Sequence, residues 1–475
     1  MAVAPDLIDR VDSELAGALG PDQVSRAEAV REQHGGGETY HPVVAPDLVV
    51  YPESTEDVVA IVGIAAGAQV PIIPHGAGTS LEGHLAALRG GISIDTSRMN
   101  AILRMNAEDL DVTVQAGVTR KQLDAHLQPN GLFFPVDPGA DASIGGMAAT
   151  RATGTTAVLY GGMRENVIAL NVVTASGDVL KTASRAPKSS AGYDLTHLFV
   201  GSEGTLGVIT DITLRVYGTP EAIASAVCSF PTVDDAVQSA MHAIQLGIPV
   251  ARIELLDEVQ MDGCRQLLGL DLAIAPTLFL EFHGSEASVA EQAAEFGEVA
   301  GELGGSDFTW AREQEARNKL WEARHMAYQA ALALRPGCKG IATDVCVPIS
   351  QLAASIESVR NDIDEQGLVA AIVGHVGDGN FHVVFALDPT DSDELERALA
   401  VNDRMVRLGI EVEGTSTGEH GVGYGKGKYL ELEHGAPAVA AMRSIKEALD
   451  PDGIMNPGKV LEVGPALVSY DATEG

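Results

Sequence analysis

The sequence predicts an α+β protein of two principal domains, and three observations carry that expectation. A chain of 475 residues exceeds one ordinary domain, for which about 100 to 200 residues is usual. A β-α-β pattern opens near Leu48 and runs into a glycine-rich loop. Beyond about Tyr217 the texture changes from short strands and glycine turns to two passes of strands and longer helices. That order suits a split β-α-β unit with an antiparallel sheet and helices on one face.

Each element has a local cause. Residues 1–42 form a helical lead-in whose acidic and apolar residues recur at helical spacing, ending in the turn-rich run from His34 to Pro42. Leu48–Pro52 reads as a strand. Ser54 then supplies an N-cap with Glu56 and Asp57 in the first turn, and the apolar stripe from Val58 to Ala68 makes the helix. Val70–Pro74 is a second short strand. Residues 91–217 are dominated by short strands, with Ser176-Gly177-Asp178 as a hairpin turn. One strand-helix-strand pass runs from Ser225 to about Ala300; a later one has strands at 343–348, 369–375 and 381–387 and helices at 350–366 and 392–408. Domain limits fall at 1–42, 43–219, 220–440 and 441–475.

Composition excludes several classes. A net charge of −35 leaves too little Lys and Arg for a nucleic-acid partner. No run of eighteen apolar residues is present, so no transmembrane segment is expected, and the acidic N-terminus does not read as a signal peptide. The 4 cysteines form no C-x-x-C pair, which argues against an iron-sulfur module or thiolate zinc site. The expected location is cytoplasmic, with which peripheral membrane association is compatible.

Pro74-His75-Gly76-Ala77-Gly78-Thr79-Ser80 is the first chemical feature. Glycines at a strand end let backbone N–H groups approach a phosphate, although such a loop also fits an ordinary tight turn. A dinucleotide-binding Rossmann unit fails because Leu81 stands where its third glycine would be. Further glycine segments follow: Asp137-Pro138-Gly139 with Ser143-Ile144-Gly145-Gly146, then Gly154 through Tyr160-Gly161, then Gly201 to Thr210 with Glu203, Gly204, Gly207 and Ile209. In this order they resemble the FAD-binding domain of the vanillyl-alcohol oxidase and p-cresol methylhydroxylase (PCMH) superfamily. The resemblance implies that residues 43–219 are a PCMH-type FAD-binding domain, with the 74–80 loop and the 143–146 turn at the pyrophosphate and the Glu203–Ile209 segment beside the adenine-ribose half and the flavin. Some members bind FAD covalently through a histidine in the first loop. Thr79 stands at that place here, so non-covalent FAD is expected, and His75 alone reads as structural or solvated.

The second feature is Gly374-His375-Val376-Gly377-Asp378-Gly379-Asn380-Phe381-His382. Asp-Gly between apolar runs signals a two-residue hairpin turn, which would pair Gly377 with Asn380, Val376 with Phe381 and His375 with His382. The two imidazoles would then share a face, with Cβ atoms roughly 5 Å apart, close enough for one metal ion. Two such histidines also fit a hydrogen-bonded surface pair. Later, glycines bracket Glu419-His420 on an irregular segment. A carboxylate with two imidazoles suits zinc, and manganese or iron is compatible.

Hairpin and loop resemble the C-terminal domain of FAD-dependent D-2-hydroxyacid dehydrogenases, which include D-lactate and D-2-hydroxyglutarate dehydrogenases and the glycolate oxidase catalytic subunit. Leu320-Trp321-Glu322-Ala323-Arg324 and the segment Asp450–Lys459 are similar to further signatures of that family. The resemblance implies an FAD-linked oxidase C-terminal substrate and metal domain, ferredoxin-like, over 220–440, and a return to the FAD domain over 441–475. It implies His375, His382 and Glu419 as ligands of a divalent metal (Zn or Mn), His420 as general base, Arg324 as substrate-carboxylate anchor and Asn456 as a flavin-side contact. His420 as structural support, and Arg324 as a surface charge paired with Glu322 or Glu315, are the plainer alternatives. Where D-2-hydroxyglutarate enzymes tend to carry asparagine, Val384 stands here, which tilts the expectation from a dicarboxylate toward D-lactate. The expected reaction is oxidation of a D-2-hydroxy acid to a 2-oxo acid by hydride transfer to flavin. Electrons would pass to a quinone, a cytochrome or an electron-transfer flavoprotein, and a homodimer is compatible. A D-2-hydroxyglutarate dehydrogenase or glycolate oxidase catalytic subunit, an FAD sugar or alditol oxidase, a non-catalytic flavoprotein subunit and an NAD-dependent enzyme are the competing readings.

Overall fold

The structure is a computed structural model that describes residues 3–269 and 273–461. The chain divides into two compact units. Among the described residues the first holds 3–154, Gly161–Thr219 and 419–461; the second holds Thr155–Tyr160 and 220–418. The chain thus re-enters the first unit at Glu419, where the sequence reading set that return at residue 441. Backbone hydrogen bonds explain the earlier point, because the N–H groups of Val422 and Gly423 bind the Glu203 carboxylate at 2.7 and 2.8 Å. Among the described residues no helix is long and apolar enough to cross a membrane.

In the first unit the helices Pro5–Ala18 and Glu28–His34 lead in. Strands Leu48–Val50 and Ile72–His75 lie parallel on either side of Ile92–Asp95. The connecting helix Thr55–Ala68 starts where Ser54 Oγ accepts the Asp57 N–H at 3.1 Å, an N-cap that satisfies one orphan donor. Ile8, Val11 and Leu15 join Val58, Ile61 and Val62 over this sheet in one core. A second, antiparallel sheet of five strands orders Ile102–Asn106, Asp111–Gln115, Val208–Arg215, Val167–Val173 and Val179–Lys181. Its core includes Val112, Val114, Leu170, Ile212 and Leu214. This region is less strand-dominated than expected, since Arg120–Leu127 and Ile144–Thr150 are helices. A capping box between Thr119 and Gln122 starts the first of these.

The second unit is built on an antiparallel sheet. Its spatial order is Ser306–Ala311, Ala222–Ser229, Thr277–Gly284, Val250–Leu256, Ala370–His375, Asn380–Leu387 and Lys339–Ala342. Counted along the chain, the first four stand in the order 4-1-3-2, that of a ferredoxin-like split β-α-β unit. The expected strand 343–348 is broken. Lys339–Ala342 and Val345–Cys346 flank Thr343 and Asp344, and the Thr343 carbonyl is taken by His382 Nδ1 at 2.9 Å.

Helices cover both faces of this sheet, not one. Phe279, Glu254 and His375 are register partners across three strands and so share a face. Trp321 of the helix Gln314–His325 packs there, its ring 6.4 Å from Phe279, together with Met261, Cys264, Ala327 and Ala330. Phe282, of opposite parity, meets Phe296 of the helix Glu286–Glu302 at 6.4 Å. Strand Thr277–Gly284 is nearly continuously buried, the mark of a strand packed on both sides.

Candidate active site

In the first unit a cleft opens beside the glycine loop. Pro74, Gly76, Ala77, Gly78, Thr79 and Ser80 form one wall. Pro138, Ser143 and Gly146 line it further, as do Glu203, Gly204 and Asn456. A recess shares Pro74, Gly76 and Gly204 with this cleft and adds His75, Gly145, Gly207 and Ile209. A Cβ on Gly76 would collide with Ser143 Oγ, and one on Gly204 would stand 2.8 Å from Pro74 Cγ. The walls therefore close to a distance that only glycine backbone permits. That cradle fits the phosphates of FAD.

Four expected cofactor contacts lie elsewhere. Asp137 accepts the Gly139 N–H at 3.2 Å; a Cβ on Gly154 would strike the Asp137 carbonyl, and one on Gly161 would stand 2.7 Å from Glu165 Cβ. These residues brace the loops and do not line the cleft. Tyr160 belongs to the second unit, where its hydroxyl bonds His283 Nδ1 at 2.8 Å.

His75 is buried, not solvated. Its ring lies 4.4 Å from that of His34, which bonds Asp95 at 2.8 Å. Burial pushes the His75 pKa down to about 4 from 6.5. A depressed histidine pKa means that the stability contribution is complete above pH 6.5. It is lost as pH falls toward 4, because the unfolded chain there binds a proton that the fold excludes. The loss amounts to about 3 kcal/mol at most. His75→Gln should therefore lower the slope of melting temperature against pH between 6.5 and 4, and an unchanged slope would clear His75 of that role.

Glu419 and His420 line the same cleft as the glycine loop. Thr153 Oγ1 donates to Glu419 Oε2 at 2.7 Å, a partner not anticipated from sequence. Asn456 donates to the Glu203 carbonyl at 2.8 Å and meets the His84 carbonyl at 3.4 Å. Its amide thus braces the cleft while lining it.

In the second unit the hairpin register differs from the expected one. His375 pairs with Asn380 and Val373 with His382, so the two histidines are diagonal neighbours and not direct partners. The connection is a four-residue turn, Val376–Gly379, closed by Asp378 N–H to the His375 carbonyl at 3.0 Å. Gly379 takes φ +76° there. A turn of this kind moves the register by an even count, so both side chains keep the same face. Their ring centroids stand 5.3 Å apart. Each Nδ1 faces an acceptor, Glu254 Oε1 at 2.7 Å for His375 and the Thr343 carbonyl at 2.9 Å for His382. Nδ1 is thereby the donor in each ring, the tautomer suited to metal ligation through Nε2.

Glu254 was missed from sequence. It lies fully buried on the central strand, binds His375, and accepts Arg324 Nε at 2.7 Å. Burial alone would raise its pKa, but the His375 imidazole and the Arg324 guanidinium outweigh that and hold it below the usual carboxylate value. An acid inside the apolar run Val250–Leu256 was the available signal, since such charges are seldom buried without partners. Arg324 pairs with Glu254, and not with Glu322 or Glu315. Its bond through Nε directs neither terminal amine to Glu254, and those two amines can fork onto a carboxylate.

Comparison with known proteins bears on the same two regions. Residues 46–183 match the FAD binding domain family and residues 219–460 the FAD linked oxidases, C-terminal domain. A protein of Danio rerio named probable D-lactate dehydrogenase, mitochondrial, is 51% identical over 96% of this chain and 92% of its own. One of Arabidopsis thaliana named D-lactate dehydrogenase [cytochrome], mitochondrial, is 46% identical over 97% of this chain and 80% of its own. A p-cresol methylhydroxylase crystal structure shares the fold at a TM-score of 0.79 and 19% identity, covering 97% of this chain and 98% of that one. With its C-terminal half matched throughout and a relative half identical along almost the whole length, the chain belongs to the FAD-linked oxidases, flavoprotein oxidoreductases with an FAD-binding domain of the PCMH type.

Proposed function

We propose that the protein oxidises D-2-hydroxy acids, D-lactate foremost, to 2-oxo acids, using non-covalent FAD and a divalent metal, zinc or manganese, with an acceptor other than oxygen. One observation carries the reading: His420 and Glu419 line the same cleft as the glycine cradle, so an imidazole and a carboxylate stand beside the cradle proposed for the flavin. Bound FAD supplies a hydride acceptor, and the metal a Lewis acid for the substrate hydroxyl. His420 takes the hydroxyl proton, a task suited to an imidazole near neutral pH. The terminal amines of Arg324 orient the substrate carboxylate. His375, His382 and Glu419 are the proposed ligands, and Glu254 fixes the tautomer of the first.

Val384 is buried and packs with Ala331 and Ala371. It offers no polar partner to a second carboxylate, which supports a lactate-sized substrate. The names of the relatives support D-lactate and, for one, a cytochrome as acceptor. A cytoplasmic location with peripheral membrane association remains part of the proposal, to be checked by fractionation.

Anaerobic mixing with D-lactate, L-lactate, D-2-hydroxyglutarate and glycolate, with and without chelator, provides the test. D-lactate should bleach the flavin band fastest, L-lactate should leave it oxidised, and chelation should slow the bleaching. A flavin left oxidised by D-lactate sinks the substrate assignment, and indifference to chelator sinks the metal.

A further inference from the structure

The His420 segment has no helix or strand of its own from Glu419 to Lys426, so something else must set its path. The buried Glu203 carboxylate accepts two consecutive backbone N–H groups, Val422 at Oε1 (2.7 Å) and Gly423 at Oε2 (2.8 Å). His84 Nε2 stands 3.1 Å from Oε2. Two adjacent N–H groups turned onto one anion form a nest, and the arrangement fixes the backbone two and three residues beyond His420. Glu203 is itself held in an unusual conformation, with φ +52°. That backbone is secured by Asn456, whose amide donates to the Glu203 carbonyl and whose own N–H bonds the Ile72 carbonyl at 2.8 Å. A non-glycine residue in the left-handed region costs free energy and persists only where its surroundings demand it.

Glu203 was expected to serve the cofactor directly. We infer instead that Glu203 is a positioning residue, whose carboxylate sets the His420 segment against the flavin cleft through the backbone of Val422 and Gly423. The inference rests on His420 acting as the base. Both oxygens of the carboxylate are spent on the segment, and this burial in a fully paired state is what a template requires. Glutamine at this position keeps the volume but has one accepting oxygen, and turns N–H against N–H at the other.

The experiment measures flavin reduction by D-lactate in the FAD-loaded Glu203→Gln protein beside the wild type. The limiting reduction rate should fall about 100-fold, the cost of a small misplacement of a reacting group. The D-lactate concentration giving half the limiting rate, and the FAD content, should stay within about twofold of wild type. Gly421→Ala displaces the same segment by another route, because Gly421 takes φ +80° and its added methyl would stand 2.8 Å from both Glu203 Oε1 and His84 Nε2. It should show the same split, and Glu203→Asp, which keeps both accepting oxygens but draws them back by one methylene, decides the matter if Glu203→Gln does not fold. A variant that loses FAD while the remaining loaded fraction reacts at the normal rate would return Glu203 to the cofactor and overturn the inference. Unchanged limiting rates in the folded variants would overturn it too. A wild type inert to D-lactate would instead overturn the proposed function, so the two failures are distinguishable.

Discussion

Replacing His420 by alanine should cut the rate of flavin reduction by D-lactate at least about 100-fold, the usual contribution of a positioned general base, while the protein stays yellow. Retention of FAD is expected because His420 is one residue of a wall built mainly from the 74–80 loop, the turn at Ser143–Gly146 and the Glu203–Gly204 corner. Stopped-flow absorbance in the flavin band reads the rate, and the protein-to-flavin ratio reads the cofactor. A rate near that of wild type would take the base role from His420 and leave it as packing beneath the segment.

The second large effect is expected at Glu254. Glu254→Ala leaves the Arg324 guanidinium and the His375 imidazole without their shared partner inside the second unit. Removing one member of a buried ion pair costs about 3–5 kcal/mol, so the second unit should melt markedly lower. The substitution also releases the His375 tautomer. Loss of a carboxylate behind a metal-ligating imidazole weakens metal binding about 10- to 100-fold, to be read from metal content after dialysis against graded chelator. Melting and metal retention are separate readouts. An unchanged melting curve would show that the buried pair contributes little, and unchanged metal retention would remove His375 from the ligand set.

Much of the candidate site could be named before any coordinates, for reasons that can be stated. Gly76, Gly78, Gly145, Gly146 and Gly204 stand out because close backbone approach to a phosphate needs glycine, and only the composition of a short segment is required to see it. His375 and His382 stand out because a hairpin signal lies between them. Their register could not be read in the same way. Asp-Gly is compatible with a two-residue or a four-residue turn, and the choice is made by the strands on either side: Val250–Leu256 pairs with Ala370–His375, and Val345–Cys346 with Asn380–Leu387. Since the longer turn moves the pairing by an even number, the shared face was preserved although the partner changed.

Sequence by itself determined the class of fold, the three glycine-walled segments and the candidate residues proposed for the chemistry, because these follow from local backbone demands and from residue type. Only the tertiary structure decided who supports whom: Glu254 behind His375 and Arg324, Thr153 at Glu419, Asn456 on Glu203, and Glu203 on Val422 and Gly423. The partners in these contacts stand 70 to 266 positions apart along the chain. A buried charge imposes no periodicity on its neighbours in sequence. It requires a partner in space, and the fold alone selects which one.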